Sequence, residues 1–343
     1  IFNRNTQKAA NSERIILSYL CNSMAEIGID IDKAAAFLKQ GKPVAIPTET
    51  VYGLAANALD ENAVRSIYEV KNRPLHNPLI LHLADKNELL KYVEEIPTIA
   101  HQLMEQFCPG PLTFLLPKTE KVPSIITHGL PRVAVRIPNH PMALKLLKKL
   151  PFPLAAPSAN PSGYISPTQA QHVQNQIGDK ISYILDGGNC EQGIESTIIG
   201  FKKEEVIIYR LGAIAIEEIE KITPKISIYL REENNPNAPG MLLKHYSPRT
   251  PFILTEDINQ SIKENTGKRI GLLLFAPLQF TITPTITQKI LSDKGDMKEA
   301  AAQLYAAMHE LDARSLDVII AERFPKHGIG KAINDRLERA AAQ

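Results

Sequence analysis

The sequence predicts an α/β protein of two domains, and three observations predict it. Segments with helical and with strand periodicity alternate from residue 30 to residue 221. A stretch broken by Pro224, Pro236, Pro239, Gly240 and Pro248 follows at 222–250, and a second alternation begins at 251. The chain has 343 residues, enough for two domains of roughly 150 residues each. The expected division is an N-terminal extension at 1–29, a first domain at 30–221, a linker at 222–250 and a second domain at 251–343.

The elements follow in order. Asp32 to Gln40 reads as a capped helix stopped by Gly41, and Pro43 to Pro47 as a short buried strand. Ala63 to Val70 carries a helical apolar stripe, and Leu79 to Leu83 reads as a strand. A helix from Ile99 to Phe107 ends at the turn signal Cys108-Pro109-Gly110-Pro111. Leu112–Leu116 and Arg132–Ile137 read as strands, Met142–Leu150 as a Lys-rich helix and Leu154–Ala156 as the start of a strand. Thr168–Gln176 reads as a polar helix, and strands are expected at 181–186, 196–200 and 206–209. Adjacent strands among the alternating elements imply a mixed sheet. In the second domain, strands at 270–275 and 316–321 and helices at 298–311 and 331–341 make a βαβα pattern.

Charge and composition narrow the classes. Hydrophobic residues are 44% and charged residues 22%, which excludes a disordered chain. Lys+Arg is 39 against Asp+Glu 37, and residues 30–221 hold 20 basic and 21 acidic side chains, so nothing grips nucleic acid by bulk charge. Cys21, Cys108 and Cys190 lack C-x-x-C spacing, so they read as free thiols in a reducing cytoplasm rather than a disulfide framework or zinc site. No apolar run reaches the roughly 18 residues a membrane span needs. The phosphate-loop, dinucleotide-fingerprint, hydrolase-elbow and zincin motifs are missing from the sequence.

Chemistry concentrates in loops after strands. Thr48, Glu49 and Thr50 follow the first strand, where ligands of α/β sheets bind, although the same residues could make a plain turn. Lys71 and Arg73 end a helix, where they would either bind an oxyanion or complement the helix C-terminus. His82 lies in an apolar strand, a place where histidine is usually structural. Ser158, Asn160 and Ser166 supply neutral donors and acceptors among small residues, with Ser166 equally suited to capping a helix. Glu195 and Ser196 follow a Gly-rich turn, and Arg210 stands alone at a strand end.

Together these pieces form an ordered series: PTETVYGL (47–54), KNRP with NPL (71–79), PGPLT (109–113), RVAVRIP (132–138), APSAN-SG-SPT (156–168), DGG and GIESTI (186–198), and RLG (210–212). The linker motifs APGM and HYSP (238–248) and the tail GIGKAINDRLERAA (328–341) continue it. The series resembles the Sua5/YrdC family of threonylcarbamoyl-AMP synthases, in the long two-domain form, over roughly residues 30–343.

The resemblance implies a YrdC-like open twisted mixed sheet with helices, plus a smaller Rossmann-like α/β C-terminal domain. It implies a nucleotidyltransferase that joins L-threonine, bicarbonate or CO2 and ATP into threonylcarbamoyl-AMP and releases pyrophosphate. The product would pass to a tRNA-modifying transferase complex for N6-threonylcarbamoyladenosine in tRNAs reading ANN codons. Carried over by motif, Thr50, His82, Arg136, Ala156 and Ser196 would hold threonine. Lys71, Arg73, Asn77, Ser158, Asn160, Ser166 and Arg210 would hold ATP, and Lys71 and Arg73 would stabilise phosphate charge in catalysis. Position 132, typically threonine in the family, is Arg132 here and would face phosphate. His245 and Tyr246 of the linker would close over the nucleotide. Mg²⁺ would accompany ATP, with its protein ligands unknown and Glu49 and Glu195 the nearest acidic candidates. The expected setting is cytoplasmic, without membrane contact and with weak or absent direct nucleic-acid binding. A double-stranded-RNA or ribosome-associated binding protein of the same fold is the alternative, disfavoured by the near-neutral charge and the lack of interleaved aromatic and basic residues. A carbamoyl-transfer domain of hydrogenase maturation would bring zinc-finger and acylphosphatase segments, which this sequence lacks.

Overall fold

Residues 24–229, 245–278 and 284–342 are described in the structure, a computed structural model, and they build two sheets. Cys21 and the linker motif at 238–241 lie outside the described residues. The strands of the first sheet are β1 (Glu26–Gly28), β2 (Val44–Ile46), β3 (Gly53–Asn57), β4 (Ile80–His82), β5 (Leu112–Pro117), β6 (Arg132–Arg136), β7 (Leu154–Ala155), β8 (Tyr183–Leu185), β9 (Thr197–Lys202), β10 (Glu205–Arg210) and β11 (Ile226–Ile228). They lie in the order β1-β8-β2-β3-β7-β4-β6-β5-β9-β10-β11. Parallel pairs such as β4–β6 and β5–β9 alternate with antiparallel ones such as β5–β6 and β9–β10, so the sheet is mixed as expected.

Helices α1 (Ile31–Lys39), α2 (Glu61–Lys71), α3 (Thr98–Phe107), α4 (Ser124–Thr127), α5 (Pro141–Lys148), α6 (Ala170–Ile177) and α7 (Ile216–Glu220) connect the strands. The cap of α1 is Asp30 rather than Asp32. The Asp30 carboxylate accepts from the backbone N–H of Asp32 and Lys33 at 2.8 and 3.0 Å, which places Asp32 inside the first turn. Asp60 caps α2 in the same way, and Asn72 ends it in the left-handed conformation at φ 49°. The turn at Asn72 sends the chain back so that Arg73 follows the helix end closely.

Five strands are not apparent from the sequence. Gly53–Asn57 looked like loop because it is buried on both faces and rich in alanine. Glu26–Gly28 was assigned to the N-terminal extension, yet it pairs in parallel with β8. Ile226–Ile228 falls inside the stretch read as linker, yet it pairs in parallel with β10. The second sheet is built from β12 (Phe252–Thr255), β13 (Ile270–Leu274), β14 (Ile286–Ile290) and β15 (Val318–Glu322), in the order β12-β15-β13-β14 with every pairing parallel. There β14 is half exposed and carries three consecutive polar residues, Thr287, Gln288 and Lys289, so no strand pattern marks it. β12 and its helix α8 (Ile258–Glu264) also went unread, because they lie in the polar stretch just after the linker. By contrast β13 and β15 are continuous apolar runs, as parallel strands covered on both faces must be. Helices α9 (Met297–Asp312) and α10 (Gly330–Ala341) complete this domain. No helix among the described residues is long and apolar enough to cross a membrane.

Candidate active site

Strand register brings the chemistry to one end of the first sheet. His82 at the end of β4 pairs with Arg136 at the end of β6, and Ile198 near the start of β9 pairs with Arg210 at the end of β10. Gly53 at the start of β3 forms a bridge with Ser158, so the PTET loop and the APSAN loop meet at the same end. A cleft opens there. Its walls include Thr50, His82, Arg136, Ala156 and Ser196, all five positions that the motifs assigned to threonine. Arg73, Ser158, Arg210, His245 and Tyr246, five of the ten assigned to ATP, line it as well.

The threonine side is built around Arg136. Its Nη2 meets Glu49 Oε1 at 2.8 Å, and its Nε donates to the Gly110 carbonyl at 3.3 Å. Glu49 is only 2% exposed and Arg136 5%, so the pair is desolvated. Beside them, the Thr48 hydroxyl accepts from the N–H groups of Thr50 and Val51, each at 3.2 Å, which folds the loop into a tight turn. The Thr48 and Thr50 hydroxyls lie 2.9 Å apart. His82 is neutral: burial and the neighbouring Arg136 push its imidazole down to about 3.

The second side gathers cations. Arg73 donates from Nε and Nη2 to the carbonyls of Asn77 and Pro78 at 3.2 and 2.8 Å. Arg210 donates from Nε and Nη2 to the Ser196 carbonyl at 3.1 and 2.8 Å, and from Nη2 to the Ser196 hydroxyl at 3.0 Å. Thr113 holds that hydroxyl from the other side at 2.7 Å. Gly212 has to be glycine here, because a Cβ would fall 2.4 Å from the Glu195 carbonyl oxygen. His245 is buried near Arg339, Arg73, Lys71 and Arg210, and burial together with these cations keeps it neutral. Its Nδ1 is buried with no hydrogen-bond partner among the described residues. Its ring meets Tyr246 edge-on at 4.1 Å.

Five assigned ATP positions stand elsewhere. Lys71, expected at phosphate, is buried behind the cleft wall, and its ammonium donates to the carbonyls of Ser158, at 2.5 Å, and Asn160. It ties the APSAN loop to the end of α2, because a desolvated ammonium must spend its donors on acceptors within reach. Asn160 donates from Nδ2 to the carbonyls of Pro161 and Tyr164 at 2.9 and 2.8 Å, shaping the same loop. Asn77 is buried and contributes its carbonyl to Arg73. Ser166 is buried and donates to Glu195 Oε1 at 2.7 Å. Arg132 shares a face of β6 with Arg136 but sits at the other end of the strand, outside the cleft. There its Nη1 donates to the Tyr209 hydroxyl at 2.9 Å and its guanidinium lies 5.1 Å from the ring centre.

The glutamates proposed for metal have other partners. Glu49 is taken by Arg136, and Glu195 by Arg336, Ser166 and Tyr305. The described residues hold no cluster of three His, Cys, Asp or Glu side chains suited to a metal ion. The set does not fit a protein-held Mg²⁺. Sequence reasoning missed Arg336 and Tyr305 as neighbours of the site. Arg336 lies within the tail motif, where its signal was an arginine on the apolar face of an amphipathic helix.

Comparison with known proteins agrees with this geometry. A family profile described as "Telomere recombination", covering the Sua5, YciO and YrdC domains, matches residues 36–212. A second, "Threonylcarbamoyl-AMP synthase, C-terminal domain", matches residues 214–342. Threonylcarbamoyl-AMP synthase of Pyrococcus abyssi is 41% identical over 322 residues, covering 90% of this chain and 93% of its own. The Bacillus subtilis enzyme of the same name is 40% identical over 321 residues, covering 91% and 92%. The crystal structure of P. abyssi Sua5 complexed with L-threonine superimposes with a TM-score of 0.84 at 41% identity, over 91% of this chain and 94% of that one. A matched profile in each domain, identity along nine-tenths of the chain and the shared two-sheet architecture lead to one conclusion: this chain belongs to the Sua5/YrdC family of threonylcarbamoyl-AMP synthases, in its two-domain form.

Proposed function

We propose that this chain synthesises L-threonylcarbamoyl-AMP from L-threonine, bicarbonate or CO2 and ATP, releasing pyrophosphate. The observation that carries the reading is one cleft in which a carboxylate-sized fork at Arg136 adjoins two further arginines, Arg73 and Arg210. Arg136 would take the threonine carboxylate, with Thr50, Ser196 and neutral His82 around the rest of the amino acid. Arg73 and Arg210 would face the triphosphate.

The deprotonated threonine amine attacks CO2, forming a C–N bond as one C=O electron pair moves onto oxygen, and the nitrogen loses a proton to solvent to leave an N-carboxylate. A carboxylate oxygen then attacks the α-phosphorus; the new O–P bond forms as the bond to the β-phosphate breaks and pyrophosphate leaves. Such transfer needs positioning and neutralisation rather than a protein nucleophile. His245 and Tyr246 cover the nucleotide and exclude water from a labile product. Neutral His245, with an open Nδ1, suits a hydrogen bond to nucleotide rather than an ion pair. Mg²⁺ would accompany the triphosphate and help neutralise its charge. A cytoplasmic setting and handover of the product to a tRNA-modifying transferase complex also belong to the proposal.

The test is to incubate the purified protein with ATP, L-threonine and bicarbonate. Pyrophosphate that depends on threonine, with the adenylate detected by mass, is expected. Pyrophosphate release that is the same without threonine would overturn the reading.

A further inference from the structure

The chemistry above uses the first domain and the linker, yet the second domain reaches the same cleft. Arg336 lies on α10 and is fully buried, at 0% exposure. A guanidinium removed from water must find matched partners. Its Nε donates to Glu195 Oε2 at 3.1 Å, its Nη1 donates to Asp335 Oδ2 at 2.9 Å, and its Cζ lies 5.3 Å from the centre of the Tyr246 ring.

Glu195 lines the cleft beside Ser196. Its carboxylate gathers donors from three segments: Ser166 of the first domain, Arg336 of α10, and the Tyr305 hydroxyl of α9, which reaches both oxygens at 3.2 and 3.1 Å. Burial pushes the Glu195 carboxyl up, but Arg336 and Arg210 outweigh it and hold the group below its ordinary range, so it is ionised. Tyr305 also stacks on Tyr246 with ring centres 5.7 Å apart. The loop itself has no slack: a Cβ on Gly193 would fall 2.4 Å from the Ala301 carbonyl oxygen on α9, and Gly193 has a positive φ of 68°. Tyr246, a cleft position assigned to ATP, therefore stacks on Tyr305 of α9 and faces Arg336 of α10, while Glu195 in the same cleft is held from both helices.

We propose that Arg336 is a positioning residue for the nucleotide side of the cleft: it fixes Glu195 and Tyr246 across the domain boundary, so that the C-terminal domain completes the ATP site. The proposal rests on the functional reading above and deepens it. Of the positions proposed for threonine, Thr50, His82 and Arg136 lie on the PTET loop, β4 and β6, and Ser196 is the one next to Glu195, so threonine binding should respond less than ATP binding.

The experiment uses the full chain with Arg336→Gln, Arg336→Lys and the double variant Glu195→Gln/Arg336→Gln. Binding of a non-hydrolysable ATP analogue and of L-threonine is measured by calorimetry, and KM for each substrate by pyrophosphate release. Arg336→Gln is expected to weaken ATP-analogue binding at least about tenfold and raise KM for ATP in parallel, with threonine affinity within about threefold. Arg336→Lys, which keeps the charge and loses the forked pair of donors to Glu195 and Asp335, should fall between. The double variant removes the unpaired charge and should fold even if Arg336→Gln does not, while Tyr246 remains unheld and ATP binding stays weak. A folded Arg336→Gln or double variant with wild-type ATP affinity overturns the proposal. So does equal loss of both substrates. Should neither fold, Arg336→Lys decides, and wild-type affinity there overturns it. A wild-type chain that binds the ATP analogue but releases no threonine-dependent pyrophosphate would refute the functional reading instead, while the affinity comparison would still test Arg336.

Discussion

Two buried glutamates stand at the cleft, Glu195 in its wall and Glu49 between the lining residues Thr48 and Thr50, and each is held by one arginine from a different source. Glu49 meets Arg136 at 2.8 Å inside the first domain, where a loop after β2 faces the end of β6. Glu195 meets Arg336 at 3.1 Å across the boundary between the domains. In both, desolvation offsets much of the attraction, so neither pair is a strong source of net stability; removing one partner is what costs. The first pair forms whenever the first sheet forms, and it orients a fork for a carboxylate. The second forms only when the domains dock, so it reports docking to the cleft. A buried ion pair within a domain prepares a site, while one between domains can make that site depend on assembly.

The largest effect should come from breaking the pair within the domain. Arg136→Ala leaves Glu49 buried without its cation, which should cost about 3–5 kcal/mol in urea denaturation and abolish threonine-dependent pyrophosphate release. A stable Arg136→Ala with a wild-type KM for threonine would break the comparison. Lys71→Ala comes next. It leaves two loop carbonyls without their donor, at about 1–3 kcal/mol for each one left unsatisfied. Loss of loop position should raise KM for ATP while leaving most of kcat. A collapse of kcat at unchanged KM would mean that Lys71 touches the phosphates after all.

The domain junction should also be acid-sensitive. His172 and His309 pack with ring centres 4.2 Å apart, facing Glu310 and Asp312. Burial pushes His172 down to about 4, and burial with His172 pushes His309 down to about 3. Below the ordinary histidine value of about 6.5 the unfolded chain binds protons that the folded chain refuses. Stability is therefore full above that pH and falls as pH drops toward 4. Urea midpoints at pH 7 and pH 5 should show it, and His172→Gln/His309→Gln should flatten the slope; an unchanged slope would remove these residues from the account. The smallest effect belongs to Arg132→Thr. Its stack on Tyr209 is worth about 0.5–1 kcal/mol, and turnover should stay within about twofold. A large rise in KM for ATP would place Arg132 in the site.

Much of the first domain was legible because its helices announce themselves by apolar stripes: the Val64, Ile67, Tyr68 face of α2 is one example, while its cap Asp60 emerged only from the structure. The short strands were harder. β1 and β11 are as short as β2 and β4 but partly exposed, so they lack the buried apolar run that marks those strands, and only their pairing partners reveal them. Within the site, polar loops after strands pointed to the right end of the sheet. They did not separate side chains that face the cleft from those that hold it up: Lys71, Asn77, Asn160 and Ser166 belong to the second group.

The sequence by itself determined the fold class, the two-domain order and the family, because periodicity and ordered motifs are local and survive without coordinates. The tertiary structure alone decided which cations meet which carboxylates. Arg136 and Glu49, or Arg336 and Glu195, become partners only when strand register and helix docking bring distant segments into one desolvated space, and burial then leaves each charge no other partner to choose.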